Sequence, residues 1–238
     1  MKIALVGYGK MGRIIEQVAL QRGHQIVLRI DLENVADMVP EKLNAADVAI
    51  EFTGPHSAYT NVMTLLHAGI PTICGSTGWL EHLAEAEALC RQKGGSLLYA
   101  SNFSVGVNIF FEINKRLAKL MAAHPEYDVT LREIHHTQKK DAPSGTGITL
   151  AEQVMEAITG KTHWVNRPAS SAGELEILSE RVDPAPGTHH VRYHSEIDDI
   201  EIIHTAHSRN GFALGAVLAA EHIHDKKGIF HMHDVLGS

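Results

Sequence analysis

Ile3-Ala4-Leu5-Val6-Gly7-Tyr8-Gly9-Lys10-Met11-Gly12 opens the chain with an apolar run, a glycine-rich turn and the start of a helical pattern. G-x-G-x-x-G directly after a strand and directly before a helix is the signature of a turn that cradles a dinucleotide pyrophosphate. Gly7 permits the tight turn, Gly9 lets the backbone approach the phosphates, and Gly12 lets helix and strand pack closely. The helix start adds free amides and a partial positive charge. Tyr8, Lys10 and Met11 lie between these glycines and join them as candidate cofactor contacts. A glycine turn that binds nothing is the competing reading, and the strand and helix around it argue against that.

Working outward, short apolar runs at Lys2–Val6, Gln25–Ile30, Val48–Phe52, Thr72–Cys74 and Leu97–Tyr99 alternate with helical stretches at Met11–Gln21, Ser57–Ala68 and Leu80–Gln92. That alternation predicts an α/β fold, a doubly wound parallel sheet of the Rossmann type with helices on its faces. Asp31 closes the second strand about 20 residues beyond the glycine turn, where an acid accepts hydrogen bonds from the adenosine ribose. No arginine follows it; Leu32 and Glu33 come next. A 2′-phosphate would be repelled, so NADH is the preferred cofactor, with NADPH possible because Lys10 and Arg13 are near. A solvated strand-end residue is the competing, weaker reading of Asp31. The loops Gly75-Ser76-Thr77-Gly78 and Ala100-Ser101-Asn102-Phe103 follow the fourth and fifth strands, on the ligand side of such a sheet. Gly75, Ser76, Thr77, Ala100, Ser101, Asn102 and Phe103 are therefore candidate contacts to nicotinamide and its ribose.

The pattern changes after Ala100. An amphipathic helix over Val105–Ala122 is followed by a strand, Asp128–His135, a polar loop and a helix over Gly147–Ile158. Strands Leu175–Arg181, His189–Ile197 and Ile200–Ala206 then come without intervening helices, which predicts a mixed or antiparallel sheet. A last helix covers Phe212–His224. The second domain is thus α+β with an open mixed sheet.

Composition limits what the chain can serve. Its 238 residues carry a net charge of −7, which argues against nucleic acid or an anionic membrane as partner. An anionic substrate would need a local basic pocket. Two cysteines, Cys74 and Cys90, cannot make a disulfide framework. There is no signal peptide and no apolar run of the ~18 residues a membrane span needs, so a cytoplasmic enzyme is expected.

The most unusual segment is Glu133-Ile134-His135-His136-Thr137-Gln138-Lys139-Lys140-Asp141-Ala142-Pro143-Ser144-Gly145-Thr146-Gly147. Its Ser-Gly-Thr-Gly turn into a helix is an anion site, with backbone amides and the Thr146 hydroxyl as donors. A lysine four residues past a histidine adds a cation and a proton donor, which suits a carboxylated substrate protonated as it accepts hydride. A solvated polar loop is the plainer alternative. Seventeen histidines invite a metal reading. Adjacent His135 and His136 face opposite ways in a strand, as do His204 and His207, while His222 and His224 share no helix face. No metal is expected.

The run from His135-His136 to Asp141-Ala142-Pro143-Ser144-Gly145-Thr146 resembles the signature of the dihydrodipicolinate reductase family of bacterial lysine biosynthesis. The likeness extends to Gly7–Gly12, Gly75–Gly78, Ala100-Ser101-Asn102-Phe103-Ser104, Ile200-Glu201-Ile202 to His204, Ser208-Arg209, Phe212-Ala213 and Phe230 to Asp234-Val235-Leu236. It implies NAD(P)H-dependent reduction of 4-hydroxy-tetrahydrodipicolinate, a small dicarboxylate. It also implies that His135 and Lys139 serve proton transfer and substrate binding, while His136, Gly145 and Thr146 hold the carboxylates. The C-terminal segment would return to the first domain, giving 1–104 with 214–238 as the dinucleotide-binding domain and 105–213 as the substrate and oligomerisation domain of a homotetramer. The chain departs from the family's pattern in a glycine turn one residue short of several relatives and in a shortened segment, Leu32–Asn44. Another small Rossmann dehydrogenase, or a cofactor-sensing binding protein without turnover, are the rival readings. The first should lack the Ala-Pro-Ser-Gly-Thr turn, and the second has no need of a proton donor.

Overall fold

A computed structural model describes residues 1–237. They form two compact units, one of Met1–Val105 with the chain from Arg209 on, the other of Gly106–Ser208.

In the first unit, strands β1 (Lys2–Val6), β2 (Gln25–Ile30), β3 (Val48–Glu51), β4 (Thr72–Cys74), β5 (Ser96–Tyr99) and β11 (Gly228–Phe230) make one sheet in the order β11-β5-β4-β3-β1-β2. Every pairing is parallel. Both faces are covered, which explains why β1 and β3 read as continuous apolar runs rather than alternating ones. Ile3 and Leu5 face a core shared with Ile15 and Ala19 of helix α1 (Lys10–Gln21) and Ala216, Val217 and Ala220 of α7 (Asn210–Ile223). Ala4 and Val6 face the other side, with Leu43 and Leu65. Each fully buried Leu or Ile contributes about 1.5–3 kcal/mol.

The expected parallel sheet is there, with details that periodicity does not resolve. Strand β11 has only three residues and pairs with β5 after the chain's return. The segment after Asp31 holds a 3₁₀ turn over Leu32–Asp37 and a one-turn helix, α2 (Pro40–Leu43), anchored by buried Leu43. The single helix expected over Leu80–Gln92 is a 3₁₀ turn, Leu80–His82, followed by α4 (Leu83–Lys93). Helix α3 spans Ala58–His67.

In the second unit, α5 (Val105–Met121) and α6 (Gly145–Ala157) join a five-stranded sheet of order β10-β9-β6-β8-β7. Its strands are β6 (Asp128–His135), β7 (His163–Val165), β8 (Glu174–Arg181), β9 (Gly187–His194) and β10 (Asp199–Ala206). Pairings β6–β9 and β9–β10 are antiparallel, and β6–β8 and β8–β7 parallel, so the sheet is mixed as expected. The strand expected over His189–Ile197 stops at His194, because the Ser195 hydroxyl accepts from the amides of Ile197 and Asp198 and closes a turn. Phe110, Leu131, Leu150, Val154, Ile177, Val191 and Tyr193 form this unit's core.

Candidate active site

Three neighbouring strands of the second sheet change character at one row. On the core-facing side Leu131 of β6 lies opposite Ile177 of β8 and Val191 of β9. Two residues further along β6, Glu133 lies opposite Ser179 and His189. His135, two further again, pairs with Arg181. The two-residue period of a strand thus carries the buried face from an apolar core into a polar floor. Glu133 is 1%, His135 7% and His189 4% exposed, so these groups must satisfy one another.

Glu133 does so through the loop above it. The Ser144 amide donates to both of its carboxylate oxygens, at 2.9 and 3.1 Å, the Ser144 hydroxyl donates to Oε2, and the Ser179 hydroxyl donates to Oε1 at 2.9 Å. Those hydrogen bonds hold its carboxyl below the ordinary range against the opposing pull of burial, which is the largest influence on it. Ser144 is also the N-cap of α6, accepting from the Gly147 amide at 3.0 Å. Gly147 has no room for a side chain: a Cβ there would lie 2.7 Å from Glu133 Oε2. The other end of the loop is held by Arg181, whose guanidinium donates to the carbonyls of Lys139 at 3.2 Å and Asp141 at 2.5 Å.

Among the sequence-predicted residues, His135 is brought to this floor, its ring centroid 5.0 Å from that of His189. Burial pushes its imidazole below the ordinary value, Lys139 and Arg181 add to that, and Glu133 and Asp141 oppose it. Lys139 is on the loop above, its ammonium 2.8 Å from the Asp141 carboxylate. His136 lies just past the strand, half-buried, with its carbonyl accepting from the Lys139 amide at 3.1 Å. Gly145 opens α6 with nothing within 4 Å of a would-be Cβ, and half-buried Thr146 follows it. This open helix start is the geometry an anionic group requires.

Sequence reasoning missed Glu133, Ser179, Arg181 and His189 as members of the site, and read Ser144 only as part of the anion-binding turn. Glu133 was within reach, being two residues before His135 on a strand and hence on its face. The rest depend on register. Glu133, His135 and His189 also stand close enough for a metal ion, a grouping that spacing along the chain does not reveal. The carboxylate is already engaged by three donor groups and has the Arg181 guanidinium 3.7 Å away, which disfavours a cation there.

In the first unit the glycine turn is built as its spacing requires. Gly7 has a φ of +97°, and a Cβ would lie 2.2 Å from the Phe52 carbonyl oxygen. A Cβ on Gly12 would meet the Gly7 carbonyl at 2.2 Å, whereas at Gly9 nothing lies within 4 Å. Gly9 is the N-cap of the 12-residue α1 and supplies no capping side chain, so the helix start is open where a pyrophosphate would sit. Lys10 is exposed, and Met11 packs on the core. Tyr8 donates to Glu16, and the guanidinium carbons of Arg13 and Arg29 lie 5.0 and 5.8 Å from its ring centroid. Arg29, beside the Tyr8 ring and ion-paired with Glu16, is a cation that the sequence reading did not weigh.

Four expected contacts are partly committed elsewhere. The exposed Asp31 carboxylate caps the 3₁₀ turn, accepting from the Leu32 amide at 2.8 Å. Ser76 is buried and accepts from the Thr53 amide at 2.8 Å, tying the β4 loop to the β3 loop, while Thr77 is exposed. Phe103 is 2% exposed and its ring belongs to the core beside Phe52. Gly75 is required by close packing, since a Cβ would strike the Phe52 ring at 2.2 Å. Ala100, exposed Ser101 and Asn102 follow β5, and the Asn102 side chain accepts from the Ser104 amide at 2.9 Å.

Comparison with known proteins agrees across both units. The family profile described as dihydrodipicolinate reductase, N-terminus, matches residues 1–103, and that described as dihydrodipicolinate reductase, C-terminus, matches residues 106–236. The chain is 48% identical over 238 residues to a 4-hydroxy-tetrahydrodipicolinate reductase of Christiangramia forsetii, covering 99% of this chain and 98% of the relative. It is 37% identical over 256 residues to the one from Methanococcoides burtonii, covering 97% and 96%. Among solved structures, a dipicolinate-bound dihydrodipicolinate reductase from Paenisporosarcina sp. TG-14 superposes with a TM-score of 0.78 over 98% of both chains at 23% identity. GenD2 from gentamicin A biosynthesis, solved in complex with NAD, shares the fold at TM-score 0.58 and 13% identity, covering 99% of this chain and 90% of that one.

Proposed function

This chain belongs to the dihydrodipicolinate reductase family, and from that membership we propose that it reduces 4-hydroxy-tetrahydrodipicolinate to tetrahydrodipicolinate with a pyridine nucleotide, in the diaminopimelate route to lysine. The observation that carries this reading is the polar row Ser179–Glu133–His189 with His135 beside it, lying under a loop that bears Lys139 and an open helix start at Gly145. The reduced nicotinamide, when bound, supplies a hydride to the ring left after loss of water. The rest is the work of side chains. The Gly145 and Thr146 amides and His136 hold the substrate's carboxylates, and His135 and Lys139 deliver the proton that must follow the hydride.

The cofactor is bound by Gly7, Tyr8, Gly9, Lys10, Met11 and Gly12 at the pyrophosphate and by the loops Gly75-Ser76-Thr77 and Ala100-Ser101-Asn102-Phe103 further along. The unit of Met1–Val105 with the chain from Arg209 on serves as the dinucleotide domain and Gly106–Ser208 as the substrate domain, a few residues from the expected 104/105 and 213/214 boundaries because the whole of α7, Ala213 included, packs on the first unit's core. A cytoplasmic homotetramer is the proposed working form. Strand β10 supports the assembly by ending the sheet with Ile203 58% exposed, a face that pairing with another copy would cover. No helix of the described residues is long and apolar enough to cross a membrane. Loss of reduced-nicotinamide absorbance on adding freshly generated 4-hydroxy-tetrahydrodipicolinate tests the activity. No turnover with either NADH or NADPH would overturn it.

NADH is the proposed preference, carried by Asp31 with Glu33 beside it. Arg13 and Arg29 at the Tyr8 ring pull the other way, so the preference is partial. Asp31→Ala should weaken NADH by about 1–3 kcal/mol while NADPH suffers less or gains. Ratios of kcat/KM for the two cofactors in wild type and variant decide this. A ratio that does not move leaves Asp31 as the cap of its 3₁₀ turn and nothing more.

A further inference from the structure

Glu133 is a buried carboxylate that neither hydride transfer nor carboxylate binding calls for, yet it touches both parts of the substrate site. Its hydrogen bonds have a determined direction. A carboxylate only accepts, so the single proton of the Ser144 hydroxyl goes to Glu133 Oε2. One lone pair of that hydroxyl is taken by the Gly147 amide at 3.0 Å. His189 Nε2, 3.1 Å from the same oxygen, can then only donate. His189 is thereby the Nε2–H tautomer, and its buried Nδ1 has no hydrogen-bond partner. A second proton on it would be opposed by burial and by His135, His204 and Lys139 nearby, with only Glu133, 3.7 Å away and already engaged by the Ser144 and Ser179 donors, to favour it. Burial first and then the neighbouring His135 hold its imidazole down to about 3.

His135 is placed differently. Its Nδ1 has no hydrogen-bond partner and stands 3.9 Å from Glu133 Oε1, a separation that a small side-chain rotation closes. The groups facing it are Glu133 on its own strand, Arg181 from β8, neutral His189 from β9, and Lys139 and Asp141 from the loop. Asp141 is exposed and engaged by Lys139, so Glu133 is the buried anion of the set.

We propose that Glu133 is a positioning residue serving both halves of the reaction: it seats the anion-binding turn through Ser144 and supplies the negative charge that lets His135 carry a proton, while His189 stays neutral and leaves that charge undivided. This rests on His135 being the proton donor of the proposed reductase.

Glu133→Gln keeps the size and one acceptor oxygen but removes the charge. Without the anion a protonated His135 is less stable, so the limb on which activity falls with rising pH should move to lower pH. An opposite charge at this range changes a neighbour's proton affinity about tenfold or more, so above the limb the variant should be about tenfold slower and recover as the pH is lowered. Ser144→Ala keeps the charge and loses the hydroxyl seat; it should raise the KM for the dicarboxylate and leave the limb in place. A merely structural Glu133 would scale kcat at every pH without moving the limb, and that result overturns the proposal. A wild-type chain that fails to turn over in the same assay removes the reductase reading instead. Imidazole NMR then still decides on Glu133, through a His135 titration that shifts down in the variant. Should the variant not fold, as judged by NADH binding, the wild type suffices. A His189 that titrates between about pH 5 and 8, or that carries its proton on Nδ1, overturns the proposal.

Discussion

Lys139→Ala should lose about 10²–10⁴ in kcat, the usual cost of removing one positioned proton donor, while NADH affinity stays nearly unchanged. The structure makes this a clean substitution. Arg181 holds the loop through the backbone carbonyls of Lys139 and Asp141, and Glu133 holds its far end through Ser144. Truncating the lysine side chain breaks its ion pair with Asp141, a pair on a half-exposed loop, and leaves those backbone holds in place. The loop should stay where it is. Steady-state turnover set against a fluorescence titration with NADH separates the two effects. Equal losses in both would assign Lys139 to the cofactor and remove it from proton delivery.

Gly215→Ala is expected to cost the most stability of any single methyl added to the first unit. Gly215 lies in the middle of α7, with a Cβ position 1.7 Å from the Phe103 carbonyl oxygen and 2.8 Å from its carbon. Backbone cannot step aside as a flexible side chain would, so α7 must lift from the core it shares with Ile3 and Leu5. Overpacking of this kind costs about 1–3 kcal/mol and occasionally more, which for a chain of this size lowers Tm by roughly 2–4 °C per kcal/mol. Gly160 has nothing within 4 Å of its Cβ position, so Gly160→Ala serves as the comparison and should leave Tm alone. A Gly215→Ala protein that melts with the wild type would mean that the helix is free to shift.

The strand, glycine turn and helix at Ile3–Gly12 were legible because each residue there answers to a local demand: an apolar run, a positive φ, a close approach. The alternation that follows gave away the parallel sheet for the same reason. Boundaries suffered where short side-chain devices intervene, as with the Ser195 turn that ends β9 early and the capped 3₁₀ turn after Asp31. The three-residue strands β7 and β11 are too brief for a period to register; β4 is equally short and was legible because the helix stop Gly69-Ile70-Pro71 directly precedes it.

In the site, local order along the chain brought out His135, Lys139 and the Ser144–Thr146 turn, since one loop carries them all. What it could not bring out was the floor beneath them. Ser179, Arg181 and His189 reach Glu133 and His135 because β8 runs parallel to β6 and β9 antiparallel, at one particular register. A one-residue slip in either pairing would turn every one of those side chains to the opposite face. The sequence alone determined the glycine turn, the kind of sheet and the loop with its histidines and lysines, all written in residues adjacent along the chain. Only the tertiary structure decided that a glutamate, two histidines, an arginine and two serines from four separate segments meet in one buried cluster, because register between distant strands follows from packing the whole apolar face and not from any stretch of it.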